Sequence, residues 1–511
     1  MSFSRRQAVA ARRRKVIVVG VVLLLIVGLA AGLARAHADV PRTAAIRVTP
    51  TEGPPGTVVG VTGRGYQGLE TVDIYEDTNL WTTATADASG SFGPIEIKIC
   101  ACFGPGTIQV KGVGESSGLS AETPFIVRTN WPQFRLAPDH RANNRFENLI
   151  AVSAVDAMLE LWTGPTNNHF SYSSAVAYGG TVYAGSGDTN LYAFDANGCG
   201  TETVCPPLWT GQTGGYIDST PAAAGPYVYV SSSDGVTYAF SASGCGQATC
   251  PSLWTMGAAG ASVHSSPAVA GRMLVVADPD GFVKVYDNRG CGQSTCAPVW
   301  SGDATGMVPT GSSPALAGGR IFVGAGTSLV AFDANGCGQA VCQPLWTAPT
   351  GGNVFSSPAV LGKMVFVGSE DHRLYAFDTS TGAPLWRVRT GDLIQSSPAV
   401  AGGLVFVGSF DGRIYAFNAA DGSQVWRSGT NGPVFASPAV ANGVLFVQSN
   451  DGYLYAYDAA GCGSLLCPPL RRWPVAGEGS PAVSDGRVFV TGQEGSLHTI
   501  GFPGLAPAVP R

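Results

Sequence analysis

Twelve cysteines are the first residues in this 511-residue chain whose spacing points to chemistry. Ten of them form close pairs: Cys199/Cys205, Cys245/Cys250, Cys291/Cys296, Cys337/Cys342 and Cys462/Cys467. Each pair sits in a loop of the type DANGCGQAVCQPLW that runs up to a tryptophan. Paired thiols can bind zinc, but zinc takes four ligands and each loop offers two, with no histidine. The pairs therefore read as disulfides that pin an enlarged loop, each worth under about 3 kcal/mol in chain entropy at this loop size. On that reading they stiffen loops more than they hold the fold. Cys100 and Cys102 stand two apart. On one strand face they would lie about 6.5 to 7 Å apart, so a bridge requires a bend, and their state is open at this point.

Other patterns are weaker. Gly114-Glu115-Ser116-Ser117-Gly118 fits G-x-S-x-G, which makes a nucleophile only on a strand-to-helix elbow with a histidine partner. Here it falls between strand patterns, so a turn is expected. Asp278-Pro279-Asp280-Gly281 has part of a calcium loop's spelling, but its place in the chain is that of a hairpin turn. Six histidines are scattered one to a region and form no triad or metal set.

The element that must position all of these is a repeat. Residues 396–426 read SSPAVAGGLVFVGSFDGRIYAFNAADGSQVW, and the proline of S-P-A recurs at Pro221, Pro267, Pro314, Pro358, Pro398, Pro438 and Pro481, with Ser174 in the first unit. Successive intervals are 47, 46, 47, 44, 40, 40 and 43 residues. A tryptophan closes each unit: Trp162, Trp209, Trp254, Trp300, Trp346, Trp386, Trp426 and Trp473. Within a unit, residues 397–402, 404–407, 413–417 and 424–426 read as four strands, with Asp411-Gly412 as a hairpin turn. The second is apolar at every position, which implies burial on both faces. Four-stranded units of this length describe β-propeller blades, eight in number. The last unit has no closing tryptophan, and residues 159–162 are expected to supply its outer strand from the other end, which removes free sheet edges. The repeat tryptophans are expected to lock neighbouring blades. Three residues before the landmark proline the residue varies: Ser171, Asp218, His264, Gly311, Phe355, Gln395, Phe435 and Glu478. In a propeller these ring the mouth of the central channel, and the polar and aromatic members are candidate ligand contacts.

The form LYAFDTSTGAPLW (residues 374–386) resembles the repeat of the pyrroloquinoline-quinone (PQQ)-type propellers, and NWPQFRLAPDHRANN (residues 130–144) is similar to the lead-in of their secreted bacterial members. The resemblance spans about residues 131–502. It implies a family that includes calcium- and quinone-dependent dehydrogenases, outer-membrane assembly scaffolds and propellers of no known activity. A dehydrogenase of the family holds its quinone over a tryptophan with calcium, an aspartate base and a ring of sequence-adjacent cysteines. This chain has no adjacent Cys-Cys pair and lacks the long insertions that build such a site.

Composition and the N-terminus place the rest. Residues 1–38 carry seven basic groups and no acid, so removing them takes the net charge from −5 to −12. An acidic body argues against nucleic acid as a partner. Residues 16–34 are an apolar run ahead of Ala36-His37-Ala38, the pattern of a signal peptide or, uncleaved, an N-terminal membrane anchor. Either places the chain beyond Asp39 outside the cytoplasm. Residues 43–128 alternate at Val72/Ile74, Ile95/Ile97/Ile99 and Ile108/Val110 between turn clusters, as in an immunoglobulin-like sandwich. Residues 49–66 resemble the Ig-like modules of actinobacterial surface proteins. The expected architecture is thus all-β: segment 1–38, sandwich 43–128, propeller 129–503 and tail 504–511. The expected function is non-catalytic binding of a protein or cell-surface ligand outside the membrane, with no cofactor. The alternatives are a PQQ- and calcium-dependent alcohol or aldose oxidoreductase, and a cell-wall or polysaccharide adhesion protein.

Overall fold

The computed structural model describes residues 43–168, 173–257, 264–278, 280–304 and 311–504. The expected signal or anchor segment 1–38, Ser171, Pro279 and the tail beyond residue 504 lie outside the described residues. Among those described, no helix is long and apolar enough to cross a membrane.

Two compact units emerge. The first takes the chain up to Arg47, Val61–Ile95 and Val110–Thr123. In it, strand Thr71–Glu76 pairs antiparallel with Asn79–Thr85 and with residues 110–114. Val72 and Ile74 are fully buried while Asp73 and Tyr75 are half-buried, the expected alternation. Tyr66 is buried beside Phe92 and donates to the Gly112 carbonyl at 3.2 Å.

The second unit holds Val48–Gly60, Glu96–Gln109 and everything from Pro124 on. In its N-terminal part Cys100 and Cys102 are bonded to each other, with Cα atoms 5.1 Å apart. They lie past the end of strand Phe92–Lys98, and the turn there brings their Cα atoms closer than a strand would.

From residue 159 onward the described residues form eight sheets, each with four antiparallel strands and four of them with a fifth, parallel strand, here called blades 1 to 8 by the order of their innermost strands. Blade 6 is typical, with strands Ala399–Ala401, Leu404–Ser409, Arg413–Asn418 and Gln424–Gly429. The innermost strand is shorter than the sequence pattern indicates, because Pro398 has no N–H to pair and Ser396 and Ser397 bond to blade 7 instead. Val405, Phe406 and Val407 are fully buried, as a strand packed on both faces requires. The eighth blade closes as expected: strand Leu159–Pro165 pairs antiparallel with Ser496–Gly501.

Each closing tryptophan sits against the next blade. Trp346, Trp386 and Trp426 donate their indole N–H to the carbonyls of Thr379, Ala419 and Ala459 at 3.0 to 3.2 Å. The ring of Trp426 also rests on Gly461 at φ +88°, where a Cβ would lie 2.6 Å from it, so glycine is required both for the space and for the backbone.

All five repeat pairs are disulfides with Cα separations of 5.5 to 5.7 Å. They pin the enlarged loops as expected, and their burial shows a further role in the fold. The first cysteine of each pair, at 199, 245, 291, 337 and 462, is exposed. The second is not: Cys205, Cys250, Cys296, Cys342 and Cys467 are buried and pack into the hydrophobic clusters between blades. The physical reason is that the end of each loop adds to the outer strand of the preceding blade, which turns the second sulfur inward. Each disulfide therefore ties an exposed loop to the core. Strand Val341–Cys342 of the blade 4 loop, for example, runs parallel to the outer strand Trp300–Asp303 of blade 3, and Ser301 N–H donates to Ala340 O at 2.8 Å. Replacing both Cys337 and Cys342 by alanine, which puts no hydroxyl into the core, is expected to cost up to about 3 kcal/mol. It should also speed amide exchange at Ser301, read by hydrogen–deuterium exchange. Unchanged protection at Ser301 would show that the cap holds without its disulfide.

Candidate functional site

The innermost strands meet around a channel, and a closed ring of side-chain bonds fixes them. The backbone N–H of Ser174 donates to Thr220 Oγ1, that of Thr220 to Ser266 Oγ, and so on through Ser313, Ser357, Ser397, Ser437 and Ser480, whose N–H returns to Ser174 Oγ. All eight bonds measure 2.8 to 3.1 Å. Each hydroxyl accepts from the preceding blade, which leaves its own proton for the channel.

One end of the channel is plugged by residues 131–144. The segment bonds the central residue of every innermost strand in turn. Trp131 pairs with Ala177, the Pro132 carbonyl accepts from Ala223, and Gln133 Oε1 accepts from Val269. The carbonyls of Pro138, Asp139, Arg141 and Ala142 accept from Leu316, Val360, Val400 and Val440, and Asn144 donates to Val483 O. Such a tight circuit needs a left-handed backbone at Arg135, Leu136, His140 and Ala142, with φ of 50 to 75°. At its centre Arg135 is buried and donates to the carbonyls of Pro398 and Pro438. Burial pulls its guanidinium down to about 9. Buried His140 packs edge-on against Phe134 and bonds the Pro358 carbonyl. Burial first, then the nearby Arg135 charge, pull its pKa down to about 3, so the ring is neutral.

Above the plug is a cavity of about 480 Å³, lined by Phe134, by the hydroxyls of the ring and by seven of the eight variable positions read from the repeat: Asp218, His264, Gly311, Phe355, Gln395, Phe435 and Glu478. The eighth, Ser171, is outside the described residues. Asp218 is 7% exposed; its Oδ2 lies 3.2 Å from His264 Nδ1, and its Oδ1 is buried with no hydrogen-bond partner among the described residues. Burial pushes Glu478 up, against the opposing bond from Asn450 at 2.9 Å. Gln395 is turned to the rim, donating to Glu370 at 2.7 Å, and Phe435 stands edge-on to Phe410. Among the described residues no lysine or arginine lines the cavity. Sequence reasoning located the mouth but missed the floor: Phe134, Arg135 and His140 belong to no repeat.

The remaining motifs are turns. Glu70 accepts from the N–H groups of Ser116 and Ser117 and from Ser117 Oγ, which caps the GESSG turn. Burial raises the Glu70 pKa, but these bonds together with that from Gln67 hold it below the usual carboxylate range. Asp278 and Asp280 both bond Lys284 Nζ, at 2.6 and 2.7 Å, across a blade hairpin. Among the described residues no cluster of histidine, cysteine or acidic side chains is arranged to hold a metal.

A ring of four-stranded sheets around such a channel defines a β-propeller of the PQQ-repeat class. The sequence matches the family described as Outer membrane protein assembly factor BamB over residues 151–290, 283–395 and 376–500, and the chain belongs to that family. None of the curated protein sequences matches it. Among solved structures, BamB from Moraxella catarrhalis is 16% identical with a TM-score of 0.54, over 68% of this chain and 98% of that one. The quinohemoprotein alcohol dehydrogenase from Comamonas testosteroni is 14% identical with a TM-score of 0.59, over 75% of this chain and 82% of its own. A europium-containing methanol dehydrogenase is 13% identical with a TM-score of 0.56, over 73% and 98%. These likenesses show the fold, and the fold hosts both an assembly factor and oxidoreductases. The disulfides and the family fit an envelope or extracellular location.

Proposed function

We propose that the chain is an exported, non-catalytic binding propeller at the bacterial cell surface, in which the plugged channel serves as a cup for a small amine-bearing ligand. In this reading residues 1–38 are the signal or anchor, 43–128 an Ig-like spacer and 129–503 the propeller, with 504–511 as tail. The observation that carries it is the half-satisfied Asp218 carboxylate, buried in a cavity whose fixed charges, Asp218 and Glu478, are both acidic. A buried acceptor without a donor costs about 1 to 3 kcal/mol, which a ligand ammonium group would recover. Phe134, Phe355 and Phe435 add aromatic surface that favours a cation.

The dehydrogenase reading fares worse on the same lining. PQQ is a planar tricarboxylate, and a cup with two acids and no lysine or arginine repels it; Arg135 lies below the floor with its donors committed to two carbonyls. The residues present do not fit that cofactor.

The test is calorimetric titration of the purified protein with propylamine and ethanolamine, and in parallel with PQQ plus calcium followed by dye reduction on alcohols. One of the amines is expected to bind saturably, and Asp218→Asn is expected to weaken it about 10- to 100-fold, since a hydrogen bond to a charged group is worth roughly 1.5 to 3 kcal/mol. Binding should also strengthen as pH rises through the elevated Glu478 pKa, because the carboxylate must be charged to attract the amine. Saturable PQQ binding with turnover would overturn the proposal.

A further inference from the structure

Five of the eight outer strands are capped, and always in the same way. In blades 1, 2, 3, 6 and 8 the residue after the closing tryptophan (Thr210, Thr255, Ser301, Arg427, Thr163) donates its N–H outward to a carbonyl of the neighbouring disulfide loop, at 2.8 to 2.9 Å. The loop residues then run parallel to the outer strand as a short fifth strand or a single bridge. Blade 7 has no such cap, but there the residue after Trp473 is Pro474, which has no N–H to offer. A proline at that position is a known way to blunt a sheet edge.

Blades 4 and 5 have neither device. Their successors lack the cysteine pair, so the outer strands Trp346–Pro349 and Pro384–Arg389 are the last in their sheets. The register matches that of the capped blades: Val330 faces Thr347 and Tyr375 faces Arg387, as Tyr415 faces Arg427 in blade 6. The N–H and C=O of Thr347 and Arg387 therefore point outward, where the other blades receive a strand. The blade 5 edge is also charged. Arg387 and Arg389 alternate on one face, both exposed, and among the described residues neither is in an ion pair. That is a local basic stripe on a chain whose net charge is −5.

We propose that the outer edge of blade 5 is a docking site for an extended acidic segment of a partner protein, which adds to strand Pro384–Arg389 in parallel and continues the pattern of the intramolecular caps. Main-chain bonds to Arg387 supply the register, and acids at alternate positions of the incoming strand meet Arg387 and Arg389.

The test uses the purified full chain and end-blocked fluorescent peptides, one of alternating glutamate and valine (EVEVEV) and one of alternating lysine and valine (KVKVKV). The acidic peptide is expected to bind saturably by anisotropy and at least tenfold more tightly than the basic one, with affinity falling as salt is raised. Arg387→Pro, which copies Pro474, should abolish binding while leaving the melting temperature unchanged. The double variant Arg387→Glu with Arg389→Glu keeps the N–H and should reverse the preference toward the basic peptide. Equal binding of both peptides, or full binding by Arg387→Pro, would overturn the proposal. Self-association of the chain that disappears in Arg387→Pro would also overturn it, by assigning the edge to a second copy.

Discussion

Arg135→Ala is expected to destabilise the propeller by about 3 to 5 kcal/mol, the range for breaking a buried, hydrogen-bonded charge site and leaving a cavity. The side chain is fully buried at the centre of the plug, and its two terminal nitrogens bridge the carbonyls of Pro398 and Pro438 in adjacent blades. Truncation strips both carbonyls of their donor. Arg135→Met keeps much of the volume and brings no charge to desolvate, so its loss should be smaller, about 1 to 3 kcal/mol from the two carbonyls left without donors. Urea unfolding followed by circular dichroism gives both numbers. Hydrogen exchange at Val400 and Val440, whose N–H groups bond the plug, reports whether the channel floor has opened. A loss below about 1 kcal/mol for the alanine variant, with those amides still protected, would show that the plug holds by its backbone bonds alone.

The blades were legible in the sequence because a repeat writes the same physics eight times. Tryptophan on the next blade's glycine, an apolar second strand and a serine that bonds the neighbouring blade each recur at a fixed offset, so the ring closure through strand Leu159–Pro165 could be anticipated from one missing tryptophan. The mouth of the cup was legible for the same reason, since residues that break a repeat at one position share one place in space. The plug was not. Residues 131–144 occur once, and their four left-handed residues are not glycine, so neither periodicity nor turn chemistry marks the circuit. Arg135 and His140 read as ordinary polar residues of a lead-in until the strands they bond are drawn around them. The capping function of the disulfide loops was half legible. The sequence shows that the loops are enlarged and pinned, but which neighbour they cover depends on a parallel pairing across blades. That pairing is also what buries Cys205, Cys250, Cys296, Cys342 and Cys467, and the sequence pattern alone does not show it. The state of Cys100 and Cys102 was open in the sequence because it depends on a bend, and the turn past Lys98 supplies that bend.

Two buried groups set opposing pH dependences, and separating them should give the second large effect. Burial pushes Asp485 from 3.8 up to about 6, reinforced by the Glu147 carboxylate and opposed by two bonds from Thr129 and by Arg128. Its carboxyl is therefore favoured in the protonated form when folded; the stability it contributes is complete below pH 3.8 and is lost as pH rises to about 6, roughly 3 kcal/mol in full. His140 behaves in the other direction. Its pKa falls from 6.5 to about 3 on folding, so its contribution is complete above pH 6.5 and is lost as pH falls toward 3. Around pH 5 each slope approaches 1.4 kcal/mol per pH unit with opposite sign, and the two largely cancel in the wild type. Asp485→Asn keeps an oxygen for Thr129 and removes the titration, so its stability relative to wild type should fall by roughly 2 kcal/mol on going from pH 6 to pH 4. His140→Leu should show the reverse trend, gaining on wild type as pH falls through the same window. Glu478 and His498, whose pKa values are also raised, are common to all three proteins and drop out of the differences. Urea titrations at pH 4, 5, 6 and 7.5 measure the profiles. Profiles parallel to wild type for both variants would show that neither group stays buried as the pH changes, and that the plug and the Thr129 clamp loosen before their side chains titrate.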